Sequence, residues 1–468
     1  MTLSTRSYLC SEMRKSAGHA LSKATSSRRD DVPRSLYLAV FISLVLTFFR
    51  PQTFFPILEA LHPIQLCTGA ILVLWLNTKP KTVLRDPIFR WQLGLLSVMF
   101  MGLPGVANHY WWLYVVTDYV TLIIMFSLGV VSVSRSAEYR TGLLRLTLIG
   151  FLFGACWVVT HDGRGPRFSW LYDENDAAAA LTVGFCLAYA MWMESRSALW
   201  RILGLITLVT CVAGIVLTMS RGGFLAAIAA AAVIALTSRK FVRTSLLVAL
   251  IAIAALPLVP EKYWSEVQSI GGDVANVGTP SKEMERVYTW RRAWDMFLDN
   301  PILGVGAGNL PWRIASYEMT PAAIAQRGGR PMVAGRVAHS IYFTILPELG
   351  LLGTVAFLVI MAKSALRAQR IAMPGFSDIA DESFRTIARF VPPAIVGYCI
   401  AGAFISVMWY PALWLLASFA MSLPASRARI SPPTPTLRNG SASRAAHSRR
   451  PTTSNRREPL GFWVNARF

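Results

Sequence analysis

Apolar residues in this chain come in long unbroken runs. They do not alternate as strand residues do, and they lack the narrow stripe of a surface helix. Many runs are 17–23 residues long, enough to cross a hydrocarbon core of about 30 Å. Twelve such segments are predicted, at about 36–49, 61–77, 91–107, 111–133, 142–160, 175–193, 199–217, 223–238, 244–260, 339–362, 390–407 and 411–424. The first is short and can continue through Pro51 towards Ala60 as a broken or re-entrant element. The pattern predicts an all-α polytopic membrane protein with about twelve transmembrane helices and one large outer loop before span ten. Continuous runs argue against a β-barrel, whose strands alternate.

One polar interruption stands out. Leu217 to Gly223 reads Leu-Thr-Met-Ser-Arg-Gly-Gly and joins two of the runs. Arg221 therefore sits where two spans meet. A charge near hydrocarbon costs about 2.5–3.5 kcal/mol at a helix centre. An arginine at a span end can also simply snorkel to the membrane surface.

Composition strengthens the membrane reading. Of the 468 residues, 54% are apolar and 15% charged, against about 25% charged in soluble domains. Mean hydropathy is +0.45. The net charge of +21 would suggest nucleic acid in a soluble protein. Here more than half of the excess lies in a basic N-terminal tail, residues 1–35, and a Ser-, Pro- and Arg-rich tail, residues 425–468. Neither has the aromatic interleaving of a nucleic-acid platform, so no nucleic-acid partner is expected. Both read as disordered cytoplasmic flanks able to touch anionic membrane lipid.

Lysine and arginine also orient the chain. With the N-terminus in the cytoplasm, 33 of the 46 basic residues fall on the cytoplasmic side. Nine of the remaining 13 lie in one outer loop, about residues 261–338. This predicts N-in and C-in. The first run lacks a small-residue cleavage site and reads as a signal anchor. Six cysteines, Cys10, Cys67, Cys156, Cys186, Cys211 and Cys399, fit neither a metal site nor a disulfide framework.

The outer loop predicts an amphipathic helix from Ser281 to Leu298, with Val287, Trp290, Trp294 and Phe297 on one stripe. Asp299-Asn300-Pro301 ends it, and Gly304, Gly306 and Gly308 make a glycine-rich turn. This turn follows a helix and not a strand, which argues against a dinucleotide site.

Four polar features should share the outer depth. They are Arg221; His339 at the entry to span ten; Arg286 on the loop helix; and Asp173-Glu174-Asn175-Asp176 at the start of span six. Each has a plain structural alternative. Asp173, Asn175 and Asp176 are good helix caps, the arginines can face solvent, and His339 can bond a loop carbonyl. Glu348, nine residues into span ten, should face away from His339 unless Pro347 kinks the helix. Nothing has metal-ligand spacing, and no cofactor is expected. Arginines bind phosphate oxygens bidentately, and a histidine titrating near neutrality suits a general base. Together they fit transfer from a diphosphate-linked lipid, a good leaving group that needs mainly positioning and charge neutralisation. A transporter or flippase would instead want charges at the bilayer midplane, which only Glu348 hints at.

Three short motifs add a resemblance. Ser220-Arg221-Gly222-Gly223 resembles the signature of the O-antigen ligase and polymerase superfamily of bacterial envelopes. Glu285-Arg286 through Trp290, then Asn300-Pro301-Ile302-Leu303-Gly304-Val305-Gly306, resembles its loop motif. Ala338-His339-Ser340 followed by Glu348-Leu349-Gly350 resembles its third. Asp173-Glu174-Asn175-Asp176 is similar to an Asp-Pro-Asn-type stretch, with Glu174 in place of proline. The resemblance covers residues 36–424 and makes residues 261–338 a periplasmic loop. It implies a metal-independent, inverting glycosyltransferase of the inner membrane. Such an enzyme moves glycan from undecaprenyl diphosphate to an acceptor hydroxyl on lipid A-core, a second glycan or a protein. Carried over by motif, Arg221 and Arg286 would hold the diphosphate and His339 would activate the acceptor. Asp173, Asn175, Asp176 and Glu348 would support them.

Overall fold

A computed structural model describes residues 32–79, 81–166, 171, 173–238, 282–327, 335–372 and 381–424. The predicted span at 244–260, both basic tails and parts of the outer loop fall outside the described residues. All those described belong to one compact unit, Met1–Ile430.

Among the described residues the structure is all helix and turn. The principal helices are α1 (Arg34–Phe48), α2 (Pro63–Leu76), α3 (Pro87–Met101), α4 (His109–Val133), α5 (Ala137–Thr160), α6 (Glu174–Glu194) and α7 (Ala198–Leu217). They continue with α8 (Arg221–Thr237), α9 (Lys282–Asp299), α10 (Leu310–Glu318), α11 (Ile341–Ala372), α12 (Glu382–Ala401) and α13 (Pro411–Ser422). By length and composition five are able to cross a membrane: α4, α5, α6, α7 and α11. Four shorter apolar helices, α1, α2, α8 and α13, accompany them.

Local sequence explains most boundaries. Asp86, Asn108, Ser136, Ser220 and Asp381 each cap a helix with a side-chain oxygen that accepts a backbone N–H. Pro87 stands at the first position of α3, where its missing N–H costs nothing.

Four boundaries differ from the hydropathy reading. Helix α11 runs ten residues past the expected end at 362, and α12 starts at Glu382 instead of 390. Their extra turns carry Arg367, Glu382, Arg385 and Arg389, which an apolar window rejects. Helix α3 stops at Met101, and α12 at Ala401. In both cases the apolar residues that follow form irregular backbone packed on other parts of the chain.

Helix α6 is the hub of the bundle. Every residue from Asp176 to Met191 is buried, and α6 packs against α5, α7, α8 and α12. Its run Ala177–Ala180 lets neighbouring backbones come close. Helix α7 shows the other extreme. Leu199, Ile202, Ile206 and Val209 are 60%, 57%, 47% and 54% exposed at helical spacing, an apolar face suited to lipid.

The two ends of the bundle differ in chemistry. At the end where α3, α5 and α12 begin and α6 stops, arginines meet carboxylates. Arg140 pairs with Asp381, and it also donates to Ser383 Oγ (2.7 Å) and the Ser134 carbonyl (2.6 Å). Arg367 makes a two-point bond to Asp86 at 2.5 and 3.0 Å. Arg385 and Arg389 share Glu194 at 2.8 and 2.5 Å. The candidate site occupies the opposite end.

Candidate functional site

The site is assembled from three chain breaks: the 218–223 turn, the start of α6, and the 335–340 segment leading into α11.

The first break turns sharply because Met219 takes a left-handed conformation, φ 53°, rare for a side-chain-bearing residue. Ser220 then caps α8, accepting the Gly223 N–H at 3.1 Å. Neither glycine has room for a side chain. A Cβ on Gly223 would lie 2.2 Å from the Ala178 Cβ, and one on Gly222 would lie 3.0 Å from the Phe404 ring. The Ser-Arg-Gly-Gly stretch is thus pressed between α6 and the loop 402–410. Arg221, the first residue of α8, is half-buried.

The second break is a capping box. Asp173 accepts the Asn175 N–H at 2.8 Å, and Asp176 Oδ2 accepts the Asp173 N–H at 3.4 Å. The same side chains reach outward. Asn175 donates its amide to Asp173 Oδ1 (2.7 Å) and accepts the Ser220 hydroxyl on Oδ1 (2.7 Å). The Tyr410 hydroxyl donates to Asp176 Oδ2 at 2.9 Å. One network therefore ties the turn that carries Arg221 to the acidic start of α6. The capping expected of these residues and the link to the arginine turn coexist.

The third break presents His339, with φ 49°, directly before α11. Backbone strain of this kind costs about 1–3 kcal/mol and persists only where the surroundings enforce it. They do so here. The Ser340 N–H donates to Ser406 Oγ (3.2 Å) and the Ile341 N–H to the Gly402 carbonyl (2.6 Å). Trp290 of α9 donates its indole N–H to the Ala338 carbonyl (2.8 Å) and stacks on Phe343, with ring centres 4.9 Å apart.

Trp290 stands one turn after Arg286, so docking it beside Ala338 carries Arg286 towards His339. The electrostatics agree. His339 is exposed at one edge, yet loss of hydration on its protein side lowers its pKa below the ordinary imidazole value. The positive charges of Arg286 and Arg336 push in the same direction, and Asp173 opposes them. Arg286, Arg336 and Asp173 therefore all lie near enough to act on the His339 ring.

Glu348 has a different place. Helix α11 breaks at Gly350 (φ 59°, ψ −163°), three residues past Pro347. Glu348 is buried, and its carboxylate accepts the N–H groups of Gly308 (2.8 Å) and Leu310 (3.2 Å). Four main-chain bonds add to this join: Val305 N–H to Pro347, Gly306 N–H to Glu348, Leu351 N–H to Pro301 and Leu352 N–H to Ile302. The glycine turn is thus a buckle that fastens the outer loop to α11. Gly304 shows why glycine is needed. Its φ is 68°, and a Cβ there would lie 2.4 Å from Glu348 backbone. Asn309 continues the fastening, its side-chain oxygen accepting the N–H groups of Ala107 (3.0 Å) and Asn108 (2.8 Å).

The sequence reading missed the loop 402–410. It supplies Phe404 against Gly222, Ser406 to the His339 segment, and Tyr410 to Asp176. These residues lie in or beside an apolar stretch that hydropathy assigns to span and short connection. Gly402, Ser406 and Pro411 were the available signs of a break.

Among the described residues no three His, Cys, Asp or Glu side chains gather as a metal-binding group. The arrangement offers guanidinium groups for an anion and a nearby imidazole whose pKa is lowered.

No curated protein matches the chain at a significant level. A family model described as O-antigen ligase matches residues 206–358, the stretch holding Arg221, Arg286, His339 and Glu348. Over that stretch this multi-pass membrane chain is similar to the O-antigen ligase family.

Proposed function

We propose that the protein transfers glycan from undecaprenyl diphosphate to a hydroxyl on lipid A-core, at the periplasmic face of the inner membrane. The observation that carries this reading is that Trp290, one turn after Arg286, holds the Ala338 carbonyl beside His339, while Asp173 is linked through Asn175 and Ser220 to the turn bearing Arg221. Arg221 and Arg286 bind the diphosphate and neutralise the charge that develops as it leaves. His339 takes the proton from the acceptor hydroxyl. That oxygen attacks the anomeric carbon from the side opposite the diphosphate. The new C–O bond forms as the bond to the diphosphate oxygen breaks, and configuration inverts. Guanidinium groups supply the neutralisation, so no divalent cation is required.

A base must be neutral to work, and the lowered pKa of His339 favours this at pH 7. His339→Ala should cost about 10²–10⁴-fold in transfer rate, the usual scale of general-base catalysis, with donor binding little changed. The measurement is transfer from purified undecaprenyl-diphosphate glycan to lipid A-core, alongside donor binding. Loss of donor binding would make His339 a ligand. No change in either would end the mechanism. Replacing lipid A-core with a second lipid-linked glycan or a protein acceptor in the same assay separates ligase from polymerase and protein transferase.

The reading also requires N-in and C-in topology, with residues 261–338 outside. Reporter fusions after Arg239 and after Gly306 should read cytoplasm and periplasm respectively. The reverse pattern would put His339 in the wrong compartment.

A further inference from the structure

Where Trp290 holds the segment that carries His339 lies an open cleft of about 460 Å³ that neither the transfer chemistry nor the buckle uses. It runs along the outer face of α9, and its lining includes Val287, Trp290, Trp294 and Phe343. Three charged residues complete the wall: Arg291, Arg292 and Asp295. Arg292 is buried and pairs with Asp295 at 3.2 Å, and Asp295 itself is 44% exposed on its side chain. Trp294 is 46% exposed.

We propose that this cleft binds a sugar ring of the acceptor glycan. The proposal rests on the glycosyl-transfer reading above and adds where the acceptor sits. Three observations select the occupant. First, the walls combine exposed aromatic carbon with groups that donate and accept hydrogen bonds. A pyranose presents the complement, an apolar C–H face and a rim of hydroxyls. Second, an isoprenyl or acyl chain has nothing to offer a guanidinium–carboxylate pair, and desolvating such a pair against hydrocarbon is costly. Three charged residues among the seven lining the cleft therefore disfavour the lipid part of the substrate. Third, the cleft is built on the residues that hold the base. Trp290 donates to the carbonyl of Ala338, next to His339, and stacks on Phe343 in the first turn of α11. The base acts on the acceptor hydroxyl, so the sugar carrying that hydroxyl lies on the His339 side of the reaction. The diphosphate of the donor is occupied with Arg221 and Arg286.

Trp294 is the residue to change. Trp290 anchors the Ala338 carbonyl, whereas Trp294 contributes exposed ring surface and touches Phe297. The probe is core oligosaccharide released by mild acid from lipopolysaccharide, free of lipid. Its binding to the purified full-length protein in detergent is measured by calorimetry, with no donor present. Trp294→Ala should weaken binding about tenfold, the order lost with one aromatic face. In the transfer assay the same variant should raise the half-saturating acceptor concentration by a similar factor. The rate at saturating acceptor and the half-saturating donor concentration should stay unchanged. Asp295→Asn keeps the shape and loses the charge, and should also weaken oligosaccharide binding, which covers the case in which Trp294→Ala does not fold. A rise in half-saturating donor concentration would assign the cleft to the lipid carrier and overturn the proposal. So would oligosaccharide binding that neither variant alters, or wild-type protein that binds none. If the wild-type protein binds oligosaccharide through Trp294 yet transfers nothing, the cleft stands and the transferase reading falls.

Discussion

The two ends of the bundle use the same residue types in opposite ways. At the end defined by Arg140, Glu194 and Arg367, the carboxylates of Asp86, Glu194 and Asp381 each pair with arginine. At the site end the carboxylates are spent on the chain itself. Asp173 takes an N–H and an amide, Asp176 a tyrosine hydroxyl, and Glu348 two N–H groups. The first arrangement cancels charge within the protein. The second fixes the backbone that carries the site. A buried pair joins helices, whereas a carboxylate used as a cap sets where a helix begins.

Substitutions can break this contrast from either side. The largest effect should come from Arg221→Lys. It keeps the charge and loses the planar fork, and transfer should fall about 10²–10³-fold, the scale set by losing an oriented donor to a developing anion. The variant should remain in the membrane at normal level. Near-wild-type transfer in Arg221→Ala would reduce Arg221 to a residue marking the membrane surface.

At the other end the expectation reverses. Asp86→Ala strands Arg367, whose side chain is 12% exposed, and removes the cap of α3. Breaking such a pair from one side costs about 3–5 kcal/mol. Thermal unfolding in detergent should report the loss, while transfer per folded molecule stays unchanged. A specific fall in kcat at permissive temperature would show that the two ends are not separable.

The smallest effects sharpen the comparison. Tyr410→Phe removes one hydroxyl from Asp176 and should cost about 1 kcal/mol of stability, read in the same unfolding assay. Asp173→Asn tests the field at His339. Asp173 raises the imidazole pKa against the other influences, so its removal should lower that pKa further. The acid limb of kcat should then move to lower pH. A shift to higher pH would show that Asp173 does not face the base.

Much of this was readable from sequence, and the failures share a cause. Arg221, Arg286, His339 and the Asp173–Asp176 stretch were identifiable because polar residues interrupting long apolar runs are costly and few. Their convergence followed from placing all four at one membrane depth. What could not be read was backbone outside helices. Hydropathy ran through Gly402 as though the span continued, and so hid Phe404 and Ser406, which brace the arginine turn and the histidine segment. It also ended α11 at residue 362, because Lys363 and Arg367 look like loop to an apolar window. The left-handed His339 and the Glu348 buckle depend on long-range main-chain partners that no local pattern encodes. Gly304, Gly306 and Gly308 announced a tight turn without revealing what it fastens.

That buckle has a mechanical consequence. Main-chain bonds between 301–306 and 347–352, with Trp290 held at Ala338, make α9 and the start of α11 a single stiff arm. His339 and Arg286 ride on that arm together. Arg221 rides on another, fixed to α6 through Ser220 and Asn175. The loop 402–410 touches both arms, one at Ser340 and Ile341, the other at Gly222 and Asp176. It therefore links the segment that carries His339 to the turn that carries Arg221. A change in the length of this loop would shift those two segments relative to one another without altering any charged residue.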